Sequence, residues 1–209
     1  MAEFTLIDLA GWPRRTFFEH YLHEIPCTYS LTANIDITHI RKQHLRLYPA
    51  LMYALTRTVN QFPQFRTALD SEGRPGIFSE MLPCYTVFQP ETETFTNLWT
   101  EVTGSYSDFA AAYERDLTEY GAALAIEGKP NTPPNSFPVS MVPWESFTGF
   151  NLNLPKGSTY LLPIFTFGKF MEQDECTLIP LSVQVHHAVC DGFHVCRFLK
   201  QLREEINNL

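Results

Sequence analysis

The segment Pro180–His194, with the sequence PLSVQVHHAVCDGFH, contains the residues best suited to chemistry. Its alternating apolar and polar residues predict a strand with His187 at the end of the apolar face. Asp191 and Gly192 follow as a tight turn, and an amphipathic helix continues from Phe193. Imidazole titrates near neutrality, so a partly desolvated histidine at the end of a strand is suited to act as a general base.

Each of these residues also has a plainer interpretation. His187 could be a satisfied core histidine, and Asp191 could simply be the N-cap of the last helix. His186 and His187 point to opposite faces of the predicted strand, and the nearby cysteines match no common zinc spacing, so we predict no metal site. Cys190 and Cys196 lack a strong base partner and are interpreted as small apolar side chains.

The elements that must position this segment alternate between strands and helices. Cys27–Ile37 has a period of two, typical of a half-buried strand. A helix is predicted from Pro49 to about Phe62, another after a cap at Ser107, and a short one over Arg14–Glu24. Four further strands are predicted, over Cys84–Phe88, Phe147–Asn153, Leu161–Met171 and Leu178–His187.

The fold class predicted from these elements is α/β, an α+β two-layer sandwich in which a mixed β-sheet is covered by helices. The polar residues Glu172–Glu175 predict a hairpin between the last two strands. The proline-rich stretch Glu127–Pro138 is interpreted as a surface connection inside one domain. At 209 residues, the chain is expected to form a single domain over residues 1–209.

Charge, hydrophobicity and cysteine content indicate which partners and which cellular location to expect. The chain has 15 Lys and Arg against 23 Asp and Glu, a net charge of −8, which argues against a nucleic-acid partner. It contains neither an apolar stretch long enough for a bilayer nor a secretory signal, so no membrane association is expected. Five widely spread cysteines without a secretory segment are typical of reduced thiols, so we expect a cytoplasmic protein.

HHAVCDG, at residues 186–192, matches the HHxxxDG signature of coenzyme-A-dependent acyltransferases, and the longer QVHHAVCDGFH resembles the type A chloramphenicol acetyltransferases. The resemblance covers nearly all of the chain in the same order. The further segments that carry it are Trp12–Arg15, Pro26–Ser30, Tyr48–Pro49, Phe65–Arg66, Tyr85–Phe88, Thr92–Phe95, Ser140–Trp144, Phe150–Asn153 and Pro163–Thr166.

This resemblance implies a reaction and a set of catalytic residues. Acetyl would pass directly from acetyl-CoA, a co-substrate rather than a permanently bound cofactor, to the 3-hydroxyl of chloramphenicol. His187 would be the general base, and Ser140 would stabilise the oxyanion, assisted through water by Thr166. Asp191 would pair with Arg14 and maintain the geometry. The resemblance also implies the coenzyme-A-dependent acyltransferase fold and a homotrimer with active sites at subunit interfaces.

The resemblance further implies the residues around the two substrates. The candidates for the drug pocket are Tyr21, Cys27, Tyr29, Thr86, Phe95, Phe150, Leu152, Tyr160 and Ile164. Arg46 and Lys169 stand at the positions expected to face the phosphates of coenzyme A, although both could be ordinary surface charges. His20 stands where many relatives have phenylalanine, a change that could alter the fit of the drug.

Two other functions fit parts of this pattern. The core of a dihydrolipoamide acyltransferase is similar in fold and signature, but it is expected to follow lipoyl and subunit-binding domains, which are not found in this sequence. A non-catalytic relative would bind the antibiotic or coenzyme A without turnover. The presence of Ser140, His187 and Asp191 argues against that alternative.

Overall fold

The computed structural model describes residues 2–155 and 157–209. The strands are β1 (Phe4–Leu6), β2 (Thr28–Asp36), β3 (Thr67–Leu69), β4 (Pro75–Phe78), β5 (Leu82–Gln89), β6 (Thr94–Trp99), β7 (Ser136–Met141), β8 (Ile164–Phe167), β9 (Met171–Gln173) and β10 (Cys176–His186). The α-helices are α1 (Arg15–Glu19), α2 (Thr38–Lys42), α3 (Leu47–Val59), α4 (Tyr106–Tyr120) and α5 (Gly192–Asn207). A π-helical turn covers His20–Glu24, and a 3₁₀ turn covers Pro63–Phe65.

The main sheet has seven strands in the order β2-β10-β8-β7-β5-β6, with β9 pairing to β10. β7 runs parallel to both β5 and β8, while the other pairs are antiparallel. The mixed sheet with helices confirms the predicted fold class, and the antiparallel pairing of β8 with β10 confirms the hairpin. A smaller antiparallel sheet has the order β1-β4-β3.

The hydrophobic core lies between one face of the main sheet and the helices. Val183 and Phe165 on the sheet and Phe198 and Leu202 on α5 are fully buried. The rings of Phe65 and Phe198 stack with their centres 4.3 Å apart, and Phe165 lies 5.5 Å from Phe198. Burying each such ring stabilises the fold by roughly 1.5–3 kcal/mol, so this face fixes the position of β10 and of the segment that follows it.

The predicted strand over Phe147–Asn153 is wrong, because this segment is irregular. The backbone N–H of Phe150 donates to Thr32 Oγ1 at 3.3 Å, and its carbonyl oxygen accepts from the hydroxyl of Ser182 at 2.6 Å. These backbone groups are therefore satisfied by side chains of β2 and β10 rather than by a neighbouring strand. The apolar residues that suggested a strand line a cleft instead.

Several boundaries also differ from the predictions. The strand predicted to begin at Leu161 covers only Ile164–Phe167. Pro163, which has no backbone N–H, precedes it, and after it the backbone N–H of Lys169 donates to Glu145 rather than to β10. The cap of α4 is Ser105 rather than Ser107, and it forms a capping box with Asp108.

The other predicted elements agree more closely. The strand over Cys27–Ile37 and the helix from Pro49 are confirmed as β2 and α3, whose bounds differ by a few residues. The predicted N-terminal helix exists, but it changes from α to π geometry after Glu19. Among the described residues, no helix is both long and apolar enough to cross a membrane.

Candidate active site

His187 directly follows β10 and is held between two aromatic rings. Its backbone N–H donates to the carbonyl oxygen of Cys27 at 2.8 Å, which fixes it beside the start of β2. The ring of Tyr21 stacks on the imidazole at 4.0 Å with an angle of 8° between the planes. Tyr29 contacts the imidazole edge-on at 5.4 Å. The side chain is 30% exposed, so the ring is restrained but accessible.

Arg14 holds the turn that follows His187. Its guanidinium donates to both carboxylate oxygens of Asp191, at 2.6 and 2.5 Å. It also donates to the backbone carbonyl oxygens of Ala188 and His187, both at 2.8 Å. A planar fork of donors suits this bidentate arrangement. Four hydrogen bonds from one side chain therefore fix the backbone on which the imidazole is mounted.

The carboxylate of Asp191 is directed at Arg14 rather than at the imidazole. The Arg14 guanidinium holds the pKa of Asp191 below its ordinary value, mainly through their hydrogen bonds. His187 Nδ1 lies 3.2 Å from Asp191 Oδ1, but without hydrogen-bond geometry. Asp191 is also the N-cap residue of α5, and its backbone N–H donates to His194 Nδ1 at 3.0 Å. Asp191 therefore both pairs with Arg14 and stands at the N-cap of α5, the two roles that the sequence suggested. We call the group of Arg14, Tyr21, Tyr29, His187 and Asp191 the histidine cluster.

Ser140 and Thr166 lie side by side on the face of the sheet opposite the main core. The two residues are directly paired between β7 and β8, and their hydroxyl oxygens are 3.1 Å apart. Ser140 lines a cavity of about 500 Å³, which we call the serine pocket. Four predicted drug-binding residues also line this pocket, namely Thr86, Phe95, Leu152 and Ile164.

The other predicted drug-binding residues divide between different parts of the surface. Tyr21, Cys27 and Tyr29 lie with His187, as described above. Phe150 lines a second cleft, between β2 and the irregular segment that begins at Thr148, which Tyr29 and Leu152 also line. Tyr160 lines another depression, together with Leu161 and Leu162. The predicted set is therefore not gathered around one cavity of this chain.

The histidine cluster and the serine pocket are far apart within one chain. Ser140 pairs with Thr166, and Thr166 pairs with Ser182 on β10, so these three residues form a row across the sheet. His187 lies five residues beyond Ser182, which at about 3.4 Å per residue is roughly 17 Å along the strand. A single chain therefore does not bring the predicted base to the predicted oxyanion donor.

The two cations predicted to face coenzyme A have different surroundings. Arg46 is the N-cap residue of α3 and forms an ion pair with Glu114 on α4, which raises the pKa of Arg46. Lys169 follows β8, and its backbone N–H donates to the carbonyl oxygen of Glu145 at 2.9 Å. Both side chains reach solvent. Among residues 2–155 and 157–209, no group of three or more His, Cys, Asp and Glu could hold a metal ion.

A family model described as chloramphenicol acetyltransferase matches residues 2–203 of this chain. The chain belongs to the chloramphenicol acetyltransferase family. Proteins of that name from Campylobacter coli and Vibrio anguillarum are each 55% identical to it. The alignments cover 98% and 99% of this chain and 99% and 96% of the two relatives. The resemblance stated from the sequence is therefore confirmed.

Solved structures show that the chloramphenicol acetyltransferase fold is shared more widely. One structure of a chloramphenicol acetyltransferase has a TM-score of 0.83 at 20% identity, covering 99% of this chain and 100% of that one. The dihydrolipoamide acetyltransferase of Azotobacter vinelandii has a TM-score of 0.67 at 17% identity, covering 87% and 82%. At these identities, the agreement concerns the fold alone.

Sequence reasoning missed several side chains of the serine pocket in this member of the chloramphenicol acetyltransferase family. Phe88 and Trp144 pack edge-to-face at 4.8 Å on its rim, and both are exposed. Cys84 and Phe88 are each two residues from Thr86 on β5, so strand periodicity could have assigned them to the same face. Trp144 lies in an irregular segment, where no periodicity could have identified it. The other residues missed are Glu93, Thr94, Asn97, Pro138, Val139 and Met141.

Proposed function

We propose that this chain transfers the acetyl group of acetyl-CoA directly to the 3-hydroxyl of chloramphenicol. The observation that carries the proposal is the clamped, accessible imidazole of His187 in a chain that belongs to this acetyltransferase family. The hydroxyl of an alcohol is almost wholly protonated at neutral pH. A positioned base typically accelerates its attack by about 10²–10⁴-fold.

The proposed reaction proceeds through one tetrahedral intermediate. His187 removes the proton as the hydroxyl oxygen attacks the thioester carbonyl carbon, and the carbonyl oxygen becomes an oxyanion. The hydroxyl of Ser140 donates to that oxygen, with Thr166 beside it at 3.1 Å. When the intermediate collapses, the carbon–sulfur bond breaks and the thiolate of coenzyme A receives the proton from His187. The Arg14–Asp191 pair keeps the turn in place and exchanges no proton.

The complete site requires a second copy of the chain. In one copy, His187 lies roughly 17 Å along the strand direction from the row of residues that contains Ser140. Each region has exposed apolar side chains that a neighbour could cover. Phe17, Ile25 and Phe193 are near the histidine cluster in sequence, and Phe88, Phe95 and Trp144 surround the serine pocket. Two different surfaces that pair head to tail form a ring when the rotation between copies closes, and a three-fold rotation gives the homotrimer implied by the family resemblance.

The phosphates of coenzyme A require cations, and Arg46 and Lys169 are proposed to supply them. Lys169 is exposed and adjoins β8, the strand that carries Thr166. Arg46 would have to exchange its carboxylate partner, Glu114, for a phosphate. Because an exposed ion pair contributes little to stability, this exchange is inexpensive.

A thiol-release assay tests the activity. The protein is supplied with acetyl-CoA alone, with acetyl-CoA and chloramphenicol, or with acetyl-CoA and dihydrolipoamide. We expect rapid thiol release only when chloramphenicol is present, with one 3-acetylated product by mass spectrometry. Because transfer to a dithiol consumes one thiol for each one released, the dihydrolipoamide arm is followed by mass spectrometry, and formation of S-acetyldihydrolipoamide would favour the dihydrolipoamide acyltransferase alternative. Drug binding without any release from folded protein would favour the non-catalytic alternative.

A further inference from the structure

The tyrosine that stacks on His187 lies on a π-helical turn, His20–Glu24. α1 ends at Glu19, and the backbone N–H of Ile25 then donates to the carbonyl oxygen of His20, five residues back, at 2.9 Å. π-turns are rare, and they occur frequently at functional sites. The extra residue in this turn changes the direction in which the following side chains leave the helix. Tyr21 is the second residue of this turn, so the backbone that carries its ring is part of the π geometry.

Tyr21 contacts a histidine on the turn as well as His187. Its ring lies parallel to His187 at 4.0 Å, and the ring of His20 packs against it edge-on at 4.9 Å and 74°. Such ring contacts are directional and contribute about 0.5–1.5 kcal/mol each. The plane of the imidazole therefore depends on Tyr21, and the plane of Tyr21 depends in part on His20.

His20 is in turn held by a carboxylate at the other end of the turn. His20 Nδ1 lies 2.7 Å from Glu24 Oε2, so the pair spans the whole π-turn. The two side chains are 40% and 71% exposed, and an exposed pair adds little to global stability. Its consequence is expected in the local orientation of Tyr21 rather than in the stability of the fold.

We propose that His20 and Glu24 are positioning residues for acetyl transfer. Their pair fixes the π-turn, and the π-turn holds Tyr21 against His187 in the orientation needed to remove the proton from the acceptor hydroxyl. Neither residue exchanges a proton with the substrates. The proposal rests on the proposed function of His187 as the base, and it extends that function to a pair outside the predicted catalytic set.

The chain provides a matched control for this pair. Arg15 and Glu19 form an ion pair at 2.8 Å with the same four-residue separation, and both side chains are largely exposed. This control pair spans regular α1 rather than the π-turn. Removing either carboxylate therefore deletes a similar surface hydrogen bond between side chains four residues apart. Only the removal of Glu24 is expected to alter the support of Tyr21.

The first test compares steady-state kinetics of E24A, E24Q and E19A. We expect E24A to lower kcat about fivefold, with both KM values within about twofold, because small misplacements of a base slow catalysis strongly. E24Q keeps an acceptor oxygen and should recover most of kcat. E19A should retain the parental kcat. An unchanged kcat in E24A, or an equal loss in E19A, would overturn the proposal.

The second test asks whether Glu24 acts through Tyr21. If it does, E24A should lower kcat in the parental chain but not in a chain that already carries Y21A. An equal additional loss in the Y21A background would overturn the proposal. The H187A variant separates this inference from the function on which it rests. An active H187A would refute the assignment of the base, whereas an inactive H187A with a fully active E24A would refute the positioning pair alone.

Discussion

In the histidine cluster, hydrogen bonds and ring contacts restrain the side chain proposed for the chemistry, whereas the serine pocket is formed mainly by apolar surface. Arg14 makes four hydrogen bonds to the turn after His187, and two aromatic rings contact the imidazole. Around the serine pocket, Phe95 and Trp144 are about half exposed. The difference corresponds to two tasks, since proton transfer requires a fixed orientation and binding a compact apolar drug requires a shaped cavity.

This comparison leads to a general expectation about substitutions. Changes in the histidine cluster should mainly lower kcat, because they disturb the orientation of the base. Changes on the wall of the serine pocket should mainly raise KM for the drug, because they remove contact area. Ser140 is the exception, since it belongs to the pocket but is proposed to stabilise the transition state.

The largest effect is expected from H187A. Removing the base should lower kcat by about 10²–10⁴-fold. Chloramphenicol binding, measured by calorimetry, should remain detectable because the serine pocket is intact. Thermal unfolding of H187A provides the control for folding. An H187A variant with nearly parental turnover would show that another group removes the proton.

The second-largest effect is expected from S140A, which also tests whether the two regions act together across a subunit interface. S140A alone should lower kcat by about 10²–10³-fold, because one oxyanion donor is lost. When H187A and S140A chains are unfolded together and refolded, about a quarter of the interfacial sites should combine an intact histidine with an intact serine. Activity should then return well above that of either variant alone.

The comparison of mixed and separately refolded samples makes this prediction decisive. Each variant refolded alone at the same total concentration is the matched control. If the mixture has only the averaged activity of the two variants, His187 and Ser140 do not act across a subunit interface. That result would also remove the main argument for a site shared between copies.

A moderate effect is expected from R14Q, which deletes the hydrogen bonds to the turn. We expect kcat to fall by about 10–100-fold, since the backbone that carries the imidazole loses its support. The free energy of unfolding at pH 7 should fall by about 1–2 kcal/mol, at the low end for charged hydrogen bonds because Asp191 is partly exposed. R15Q, on the neighbouring exposed pair, is the control and should change neither quantity appreciably.

The stability difference between R14Q and the parental chain should depend on pH. Arg14 lowers the pKa of Asp191, so the ionised carboxylate stabilises the folded state. This contribution is fully present above the unfolded value of about 3.9 and is lost as the pH falls through the lower folded value. Urea unfolding of both proteins across this acidic range should show the difference shrinking below about pH 4. A constant difference would contradict the assigned ion pair.

The smallest effect is expected from W144A on the rim of the serine pocket. Trp144 lines this pocket and is exposed, so W144A would remove an aromatic contact with the ring of the drug; such a contact contributes about 0.5–1.5 kcal/mol, which corresponds to a roughly 2–10-fold increase in KM for chloramphenicol. The kcat value and the KM for acetyl-CoA should change less than about twofold. A large loss of kcat instead would mean that the rim orients the reacting atoms, and the contrast between the two regions would not hold.

Local periodicity predicted the elements whose structure depends on burial of one face. β2, β10 and α5 followed from alternating or helical apolar patterns. The segment around Phe150 did not, because its backbone groups bond to the side chains of Thr32 and Ser182. The change from α to π geometry at His20 was also missed, since the same residues suit either form of helix.

The sequence by itself determined that a histidine would end a largely apolar strand beside an aspartate-glycine turn, because these features depend on residues next to one another. Only the tertiary structure decided that Arg14 would hold that turn from 177 residues away in sequence. It also decided that His187 and Ser140 would lie far apart along the strand direction of the same sheet. Strand order and register are set by the packing of the whole core, and no local pattern contains that information.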